Sequence, residues 1–164
     1  MRTGVIYSDK KHIEVSNLGK DDVSLDLFGM QQLRSEFIKL SENDVRNKII
    51  NPDFNIISFR WFPAANFDYY ISRYIGNKTY AFNNIESIRN YYFINEKKGE
   101  IPPGSDCYFI CSSRDFKNPS DLYKDYFDNI SPPDTIKIYR QDKNVMNYFV
   151  FRLRNLKKNL KFLY

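Results

Sequence analysis

The first clear pattern along the chain is a stripe of apolar residues at helical spacing. It predicts an amphipathic helix from about Phe28 to Leu40, with its apolar side facing a core. The members of the stripe are Leu27, Met30, Leu33, Phe37 and Leu40. Ser41 and Asp44 follow with the spacing of a capping box, which predicts a break there and a second short helix as far as Ile49.

From Asn55 onwards, short apolar runs alternate with helical stretches. The predicted strands cover residues 55–59, 78–82 and 107–111. The helices that follow them are predicted to begin near Pro63, Asn84 and Asn118. The third of these helices is expected to reach Phe127. Two alternating runs near the C-terminus, around Ile136 and Phe151, predict a hairpin closed by residues 141–144.

This order of elements predicts an α/β fold. We expect a mostly parallel open sheet with helices packed on it and a C-terminal antiparallel β-hairpin. A single domain is expected over residues 21–155, after a leader (1–20) that is either mobile or folded into a short hairpin, and before a basic tail (156–164). Right-handed crossovers bring the loops that follow parallel strands to one edge of the sheet, which is where ligands of such folds usually bind.

Charge and composition narrow the class of protein only slightly. The 164 residues include 25 Lys and Arg and 20 Asp and Glu, which gives a net charge of +5. Because acidic residues are interspersed with basic ones, the pattern does not favour nucleic acid as a partner. No stretch has the roughly 18 apolar residues of a membrane span, and no signal-peptide core is visible. Taken alone, these features predict a cytoplasmic protein.

Residues suited to catalysis or metal binding are few. His12 is the only histidine, and Cys107 and Cys111 lie on one predicted strand, too far apart for a mutual disulfide. We therefore expect buried structural thiols, no catalytic residue, no metal and no cofactor. Aspartates cluster within 21–26 and 115–128. A close pair in one cleft would favour a small glycosidase, but the helix dipole also favours acidic residues at helix starts.

The strongest candidates for ligand contacts come directly after the first predicted strand. They are Arg60, Trp61 and Phe62. Exposed aromatic rings beside arginine suit a bound ligand, including single-stranded nucleic acid. Burial of Trp61 against the following helix is an equally open interpretation.

Five segments of the chain occur in a recognisable order. An acidic–aromatic–Gly segment opens a helix, an aromatic stretch spans a strand and a helix, and a Tyr-Ala-Phe strand is followed by Asn. A Pro-Gly-Ser-Asp turn then leads into a strand, and the last strand is rich in aromatics and Arg. These segments are 26–30, 56–70, 79–84, 103–106 and 148–153. From about Val15 to Asn155, this layout resembles the C-terminal extracytoplasmic domain of bacterial membrane glycosyltransferases of the protein mannosyltransferase and aminoarabinose (lipid A) transferase superfamily.

The resemblance implies a soluble, non-catalytic domain on the periplasmic face of the inner membrane, attached to a longer chain. Enzymes of this superfamily transfer a sugar from a polyprenyl-phosphate carrier to a lipid or protein acceptor, with the catalytic groups in the membrane portion. The implied partners are that membrane portion and, through it, the sugar donor and the acceptor. The domain would act as a lid or acceptor-side module, with Asp26, Arg60, Trp61 and Phe62 as candidate ligand-binding residues.

The alternative is an independent small α/β module that binds a ligand or nucleic acid through the loops at the edge of the sheet. A continuous basic surface with exposed aromatics would favour nucleic acid. Transmembrane helices encoded ahead of Met1 would favour the glycosyltransferase domain.

Overall fold

Six strands and the helices between them form the frame of the computed structural model, which describes residues 18–160. The helices are α1 (Met30–Arg46), α2 (Trp61–Phe67), α3 (Arg73–Ile75), α4 (Ile85–Ile88), α5 (Tyr91–Lys98) and α6 (Ser120–Tyr123). The strands are β1 (Asn55–Ser58), β2 (Thr79–Ala81), β3 (Cys107–Ser112), β4 (Phe127–Ile130), β5 (Asp134–Arg140) and β6 (Lys143–Leu156). Most of the predicted 1–20 leader and the last four residues of the predicted tail lie outside the described residues.

The strands form one mixed open sheet in the order β2-β1-β3-β6-β4, with β5 also paired to β6. β1 is parallel to β2 and to β3, whereas β6 is antiparallel to β3, β4 and β5. The α/β class is thus confirmed, but the prediction of a mostly parallel sheet is wrong. The reason is the length of β6: its 14 residues pair with β3 along one edge and with both β5 and β4 along the other.

The predicted C-terminal hairpin is present as β5 and β6. Its turn is formed by Gln141 and Asp142, which have φ values of 48° and 61°. Two consecutive residues with positive φ are typical of the tight turns whose twist matches that of the paired strands.

The sheet has an apolar layer on each face because successive strand residues point to opposite sides. Ile56 and Tyr108 face the layer that packs against α1 and α2, whereas Ile57 and Phe109 face the other layer. The outer edge of β2 is covered by Asn95 of α5. Its side chain donates to the carbonyl of Ala81 (2.6 Å) and accepts from the N–H of Ala81 (3.2 Å). Because β1 and β3 are parallel, the loops that follow them lie at the same end of the sheet.

Helix α1 is longer than the sequence predicts. The expected break at Ser41 is absent because the buried hydroxyl of Ser41 donates to the carbonyl of Ile38 (3.0 Å) within the helix. Asp44 is also buried, and it pairs with distant residues instead of capping a second helix.

The helical stretch after β1 and the one after β3 also differ in part from the prediction. A π-helical turn, Asp68–Ser72, joins α2 to α3, and Gly76 ends α3 with a φ of 79°, as expected of a helix C-cap. Helix α6 ends at Tyr123, so Phe127 begins strand β4 and is not part of a helix. No helix in the described part of the chain has both the length and the apolar character that crossing a membrane requires.

Candidate functional site

One cleft of the described residues lies beyond the carboxyl ends of β1 and β3. Its volume is about 790 Å³. The chain runs from β1 outwards to β2 and then returns to β3 on the opposite side of β1, so the cleft lies where the strand order reverses. In open α/β sheets this position leaves a crevice between diverging loops, which is the usual place for a ligand.

All four candidate residues from the sequence line this one cleft. They are Asp26, Arg60, Trp61 and Phe62. Residues 60–62 reach it because β1 ends at Ser58 and α2 begins at Trp61, so the connecting turn opens at the edge of the sheet. Asp26 reaches it from the segment ahead of α1.

Two aromatic rings of the cleft remain partly open to solvent. The side chains of Trp61 and Phe62 are 39% and 38% exposed, and their ring centroids lie 5.6 Å apart in an edge-to-face arrangement. Neither full burial nor full exposure of Trp61 is therefore observed. A partly exposed aromatic ring in a cleft is suited to contact with an apolar face of a ligand.

Two arginine–carboxylate pairs hold the rims of the cleft together. Arg60 binds Asp115 (2.6 Å), which joins the loop after β1 to the loop after β3. Arg114 binds Asp26 (2.7 Å) and also donates to the carbonyl of Gly19 (2.8 Å), which fixes the segment ahead of α1. Because Arg60 and both carboxylates are exposed to solvent, we assign these pairs a role in positioning, and each contributes about 0–1 kcal/mol to stability.

Arg89 lines the same cleft with an unusual backbone conformation. It connects α4 to α5 with φ 47° and ψ −128°, which costs a non-glycine residue about 1–3 kcal/mol. The turn is nevertheless fixed, because the buried side chains of Ile88 and Tyr91 anchor it on both sides. The guanidinium carbon of Arg89 lies 5.6 Å from the centroid of the Trp61 ring.

The charged side chains that line the cleft are balanced in number. Four are basic and four are acidic. The basic ones are Lys20, Arg60, Arg89 and Arg114, and the acidic ones are Asp21, Asp26, Glu86 and Asp115. The cleft therefore presents many planar hydrogen-bonding groups without an excess of positive charge.

The floor of the cleft is made of neutral, buried groups. The hydroxyl of Tyr148 donates to the sulfur of Met30 (3.5 Å), and burial raises the pKa of Tyr148 to about 12. Burial likewise raises the pKa of Cys111 to about 12, and it raises the pKa of Cys107 well above its ordinary range. Both thiols are free and buried, as predicted, and a protonated thiol is not a nucleophile.

These buried thiols predict a loss of stability at alkaline pH. In the unfolded chain a cysteine ionises near pH ~8.5, whereas Cys107 and Cys111 keep their protons in the fold. Above that pH the folded state binds more protons than the unfolded state, so the free energy of unfolding falls by up to about 1.4 kcal/mol per pH unit per thiol. Urea denaturation of the reduced protein at several pH values measures this slope. A double variant, Cys107→Ala with Cys111→Ala, should flatten the slope between pH ~8.5 and ~10, and an unchanged slope would contradict the assignment.

The aspartates of the two sequence groups are brought together only in part. Asp21, Asp26 and Asp115 line the cleft, whereas Asp128 lies on β4 and binds the side-chain amide of Asn155. Asp22 caps the short turn ahead of α1, and hydrogen bonds from Ser24 lower the pKa of Asp22. Within residues 18–160, no group of three or more His, Cys, Asp or Glu side chains is placed to hold a metal ion.

Several lining residues were not identified from the sequence. Arg114 and Asp115 lie in the loop that follows β3, and their position after a parallel strand is the signal that could have singled them out. Arg89 carries no such signal, because its sequence neighbourhood predicts the interior of one continuous helix.

Comparison of the chain with protein families, with curated proteins and with solved structures found no match. The geometry of the cleft and the layout of the chain are therefore the grounds for the functional argument.

Proposed function

We propose that this chain is the extracytoplasmic, non-catalytic domain of a polyprenyl-phosphate-sugar-dependent membrane glycosyltransferase, and that its cleft binds a carbohydrate. The domain acts as a lid or acceptor-side module beside the membrane portion of the same parent chain. The observation that carries the carbohydrate assignment is the convergence of Asp26, Arg60, Trp61 and Phe62 on one cleft. The order of segments along the chain supports the wider assignment to the glycosyltransferase.

The composition of the cleft supports a sugar over a nucleic acid. The negative face of an aromatic ring attracts weakly positive C–H groups, and such groups line the flat faces of a pyranose ring. Ion-paired side chains such as Arg60 and Asp115 supply donors and acceptors for the hydroxyl groups around that ring. A groove for single-stranded nucleic acid needs an excess of positive charge along the backbone, whereas this lining is balanced.

Alanine at Trp61 is expected to weaken carbohydrate binding about tenfold or more, because the apolar contact with the sugar ring is lost. Isothermal titration calorimetry with methyl glycosides of glucose, mannose, galactose and arabinose measures the effect. Tyr69→Ala is the matched control, since Tyr69 is an exposed aromatic residue (57%) outside the cleft. No binding of any glycoside, or equal binding by both variants, would contradict the assignment of the cleft.

The wider assignment has its own test in the parent gene. Sequencing upstream of the codon for Met1 should reveal several transmembrane helices in the same reading frame. An in-frame stop codon directly upstream would contradict the glycosyltransferase assignment and leave an independent binding module.

A further inference from the structure

Of the three arginines that line the cleft, only Arg89 lacks an ionic partner. Arg60 and Arg114 are paired with Asp115 and Asp26. Among residues 18–160, none places a carboxylate within 4.0 Å of the guanidinium of Arg89, although Glu86 is three positions away. The side chain of Arg89 instead extends towards the Trp61 ring and is exposed. A free guanidinium thus stands beside the most prominent aromatic residue of the cleft.

The backbone at Arg89 is strained, which is a second and independent indication of a ligand at this residue. Its positive φ is a conformation that glycine adopts without strain. Glycine at this position would therefore make the fold more stable than arginine does. The backbone groups of the turn are satisfied, since the N–H of Arg89 donates to the carbonyl of Ile85 (2.7 Å). The side chain of Arg89 makes no hydrogen bond with any described residue that would compensate for the strain. Strained residues of this kind cluster at ligand-binding sites.

We propose that Arg89 binds a single acidic group, a phosphate or a carboxylate, on the sugar that packs against Trp61. This inference rests on the proposed carbohydrate site and names the chemistry of its ligand. The planar guanidinium offers two parallel N–H donors to a phosphate or carboxylate, which gives both affinity and orientation. Glu86 and Asp21 lie on the same lining and form no ion pair with any of residues 18–160, so they disfavour a ligand with several negative charges, and one acidic group is the best match.

The test compares acidic and neutral forms of the same sugars on the whole chain. The probes are the anomeric phosphates of glucose and mannose, glucuronate, the neutral methyl glycosides, and inorganic phosphate alone. We expect an acidic form to bind about tenfold or more tightly than its neutral counterpart, and Arg89→Gly to remove that gain. Glycine suits the backbone of the turn, so this variant should fold with a melting temperature no lower than that of the original chain.

A matched control makes the same kind of change, loss of a basic side chain at a positive-φ position, away from the cleft. Lys48 is exposed, has a positive φ (56°) and lies outside the cleft, so Lys48→Gly should leave binding of every probe unchanged. Comparison of sugar phosphate with glucuronate shows which acidic group is preferred.

Two results would overturn the inference. In the first, acidic and neutral sugars bind equally; in the second, Arg89→Gly retains the gain. If neutral sugars bind through Trp61 and an acidic group adds no affinity, the inference about Arg89 is wrong. The proposed carbohydrate site is then still supported. Inorganic phosphate that binds through Arg89 while no neutral sugar binds would support the acidic-group site and contradict the carbohydrate assignment.

Discussion

Replacing Asp44 by alanine is expected to lower the free energy of unfolding by about 3–5 kcal/mol. Asp44 is 2% exposed and receives two hydrogen bonds from Arg152, at 2.5 and 2.9 Å, and one from the hydroxyl of Tyr108, at 2.7 Å. Without the carboxylate, the Tyr108 hydroxyl loses its acceptor and a mostly buried arginine loses its principal partner. Both groups then remain away from water, and that desolvation is the source of the cost.

The matched control uses the same arginine. Asp134 also binds Arg152 (2.6 Å) but is 48% exposed, so Asp134→Ala should cost only about 0–1 kcal/mol. For a chain of this size the difference corresponds to a melting temperature roughly 10 °C lower for Asp44→Ala than for Asp134→Ala. Asp44→Asn, which keeps the side-chain volume, gives an intermediate value if alanine prevents folding. Equal losses for the two alanine variants would show that burial does not decide the strength of these pairs.

Replacing Gly29 by alanine is expected to destabilise the fold by about 2–5 kcal/mol, the sum of backbone strain and overpacking. Gly29 has a φ of 77° at the start of α1, a conformation that disfavours a Cβ atom. A Cβ built there would lie 2.3 Å from the Cγ2 atom of Ile138 on β5. The glycine therefore allows the N-terminus of α1 to approach the sheet closely.

Gly76→Ala isolates the backbone part of this effect. Gly76 has a nearly equal φ of 79°, but a Cβ atom there would meet nothing within 4 Å. Its substitution should cost only about 1–2 kcal/mol, and the excess for Gly29→Ala measures the contact with Ile138. Chemical denaturation of both variants gives the comparison. Equal costs would mean that α1 shifts away from β5 at little expense.

Local signals in the sequence predicted the parts of the fold that depend on neighbouring residues. Gly76 ends a helix through its backbone freedom, and Asn84 caps α4 by accepting a hydrogen bond from the N–H of Ser87 (2.9 Å). Both effects act within one helical turn. The apolar strand 107–111 and the terminal hairpin were identified for the same reason, since their patterns are short and regular.

The errors arose where distant residues decide the outcome. Ser41 and Asp44 resemble a capping box, but Asp44 is drawn into the core by Arg152, which lies 108 positions away. Tyr123 ends α6 where its hydroxyl donates to the carbonyl of Phe82 (2.6 Å), and Phe127 then joins the sheet through the end of β6. No pattern within a short window of sequence contains these pairings.

The candidate site likewise contains residues that local sequence patterns predict and residues that only distant contacts determine. Residues 60–62 could be predicted because they follow a buried strand, and a parallel neighbour places that loop at a ligand-binding edge. The pairing of Arg60 with Asp115 and of Arg114 with Asp26 depends on the packing of three separate segments. The helix break at Arg89 depends on the burial of Ile88 and therefore on the tertiary fold.

The central claim, that the cleft binds a carbohydrate, is tested most directly by the fluorescence of Trp61. It is the only tryptophan in the chain, so its emission, excited selectively over the 13 tyrosines, reports on the cleft alone. Titration with the methyl glycosides and the sugar phosphates should change the emission in a saturable way and protect the ring from quenching by iodide. Emission and quenching that stay unchanged at saturating concentrations of every sugar would contradict the account.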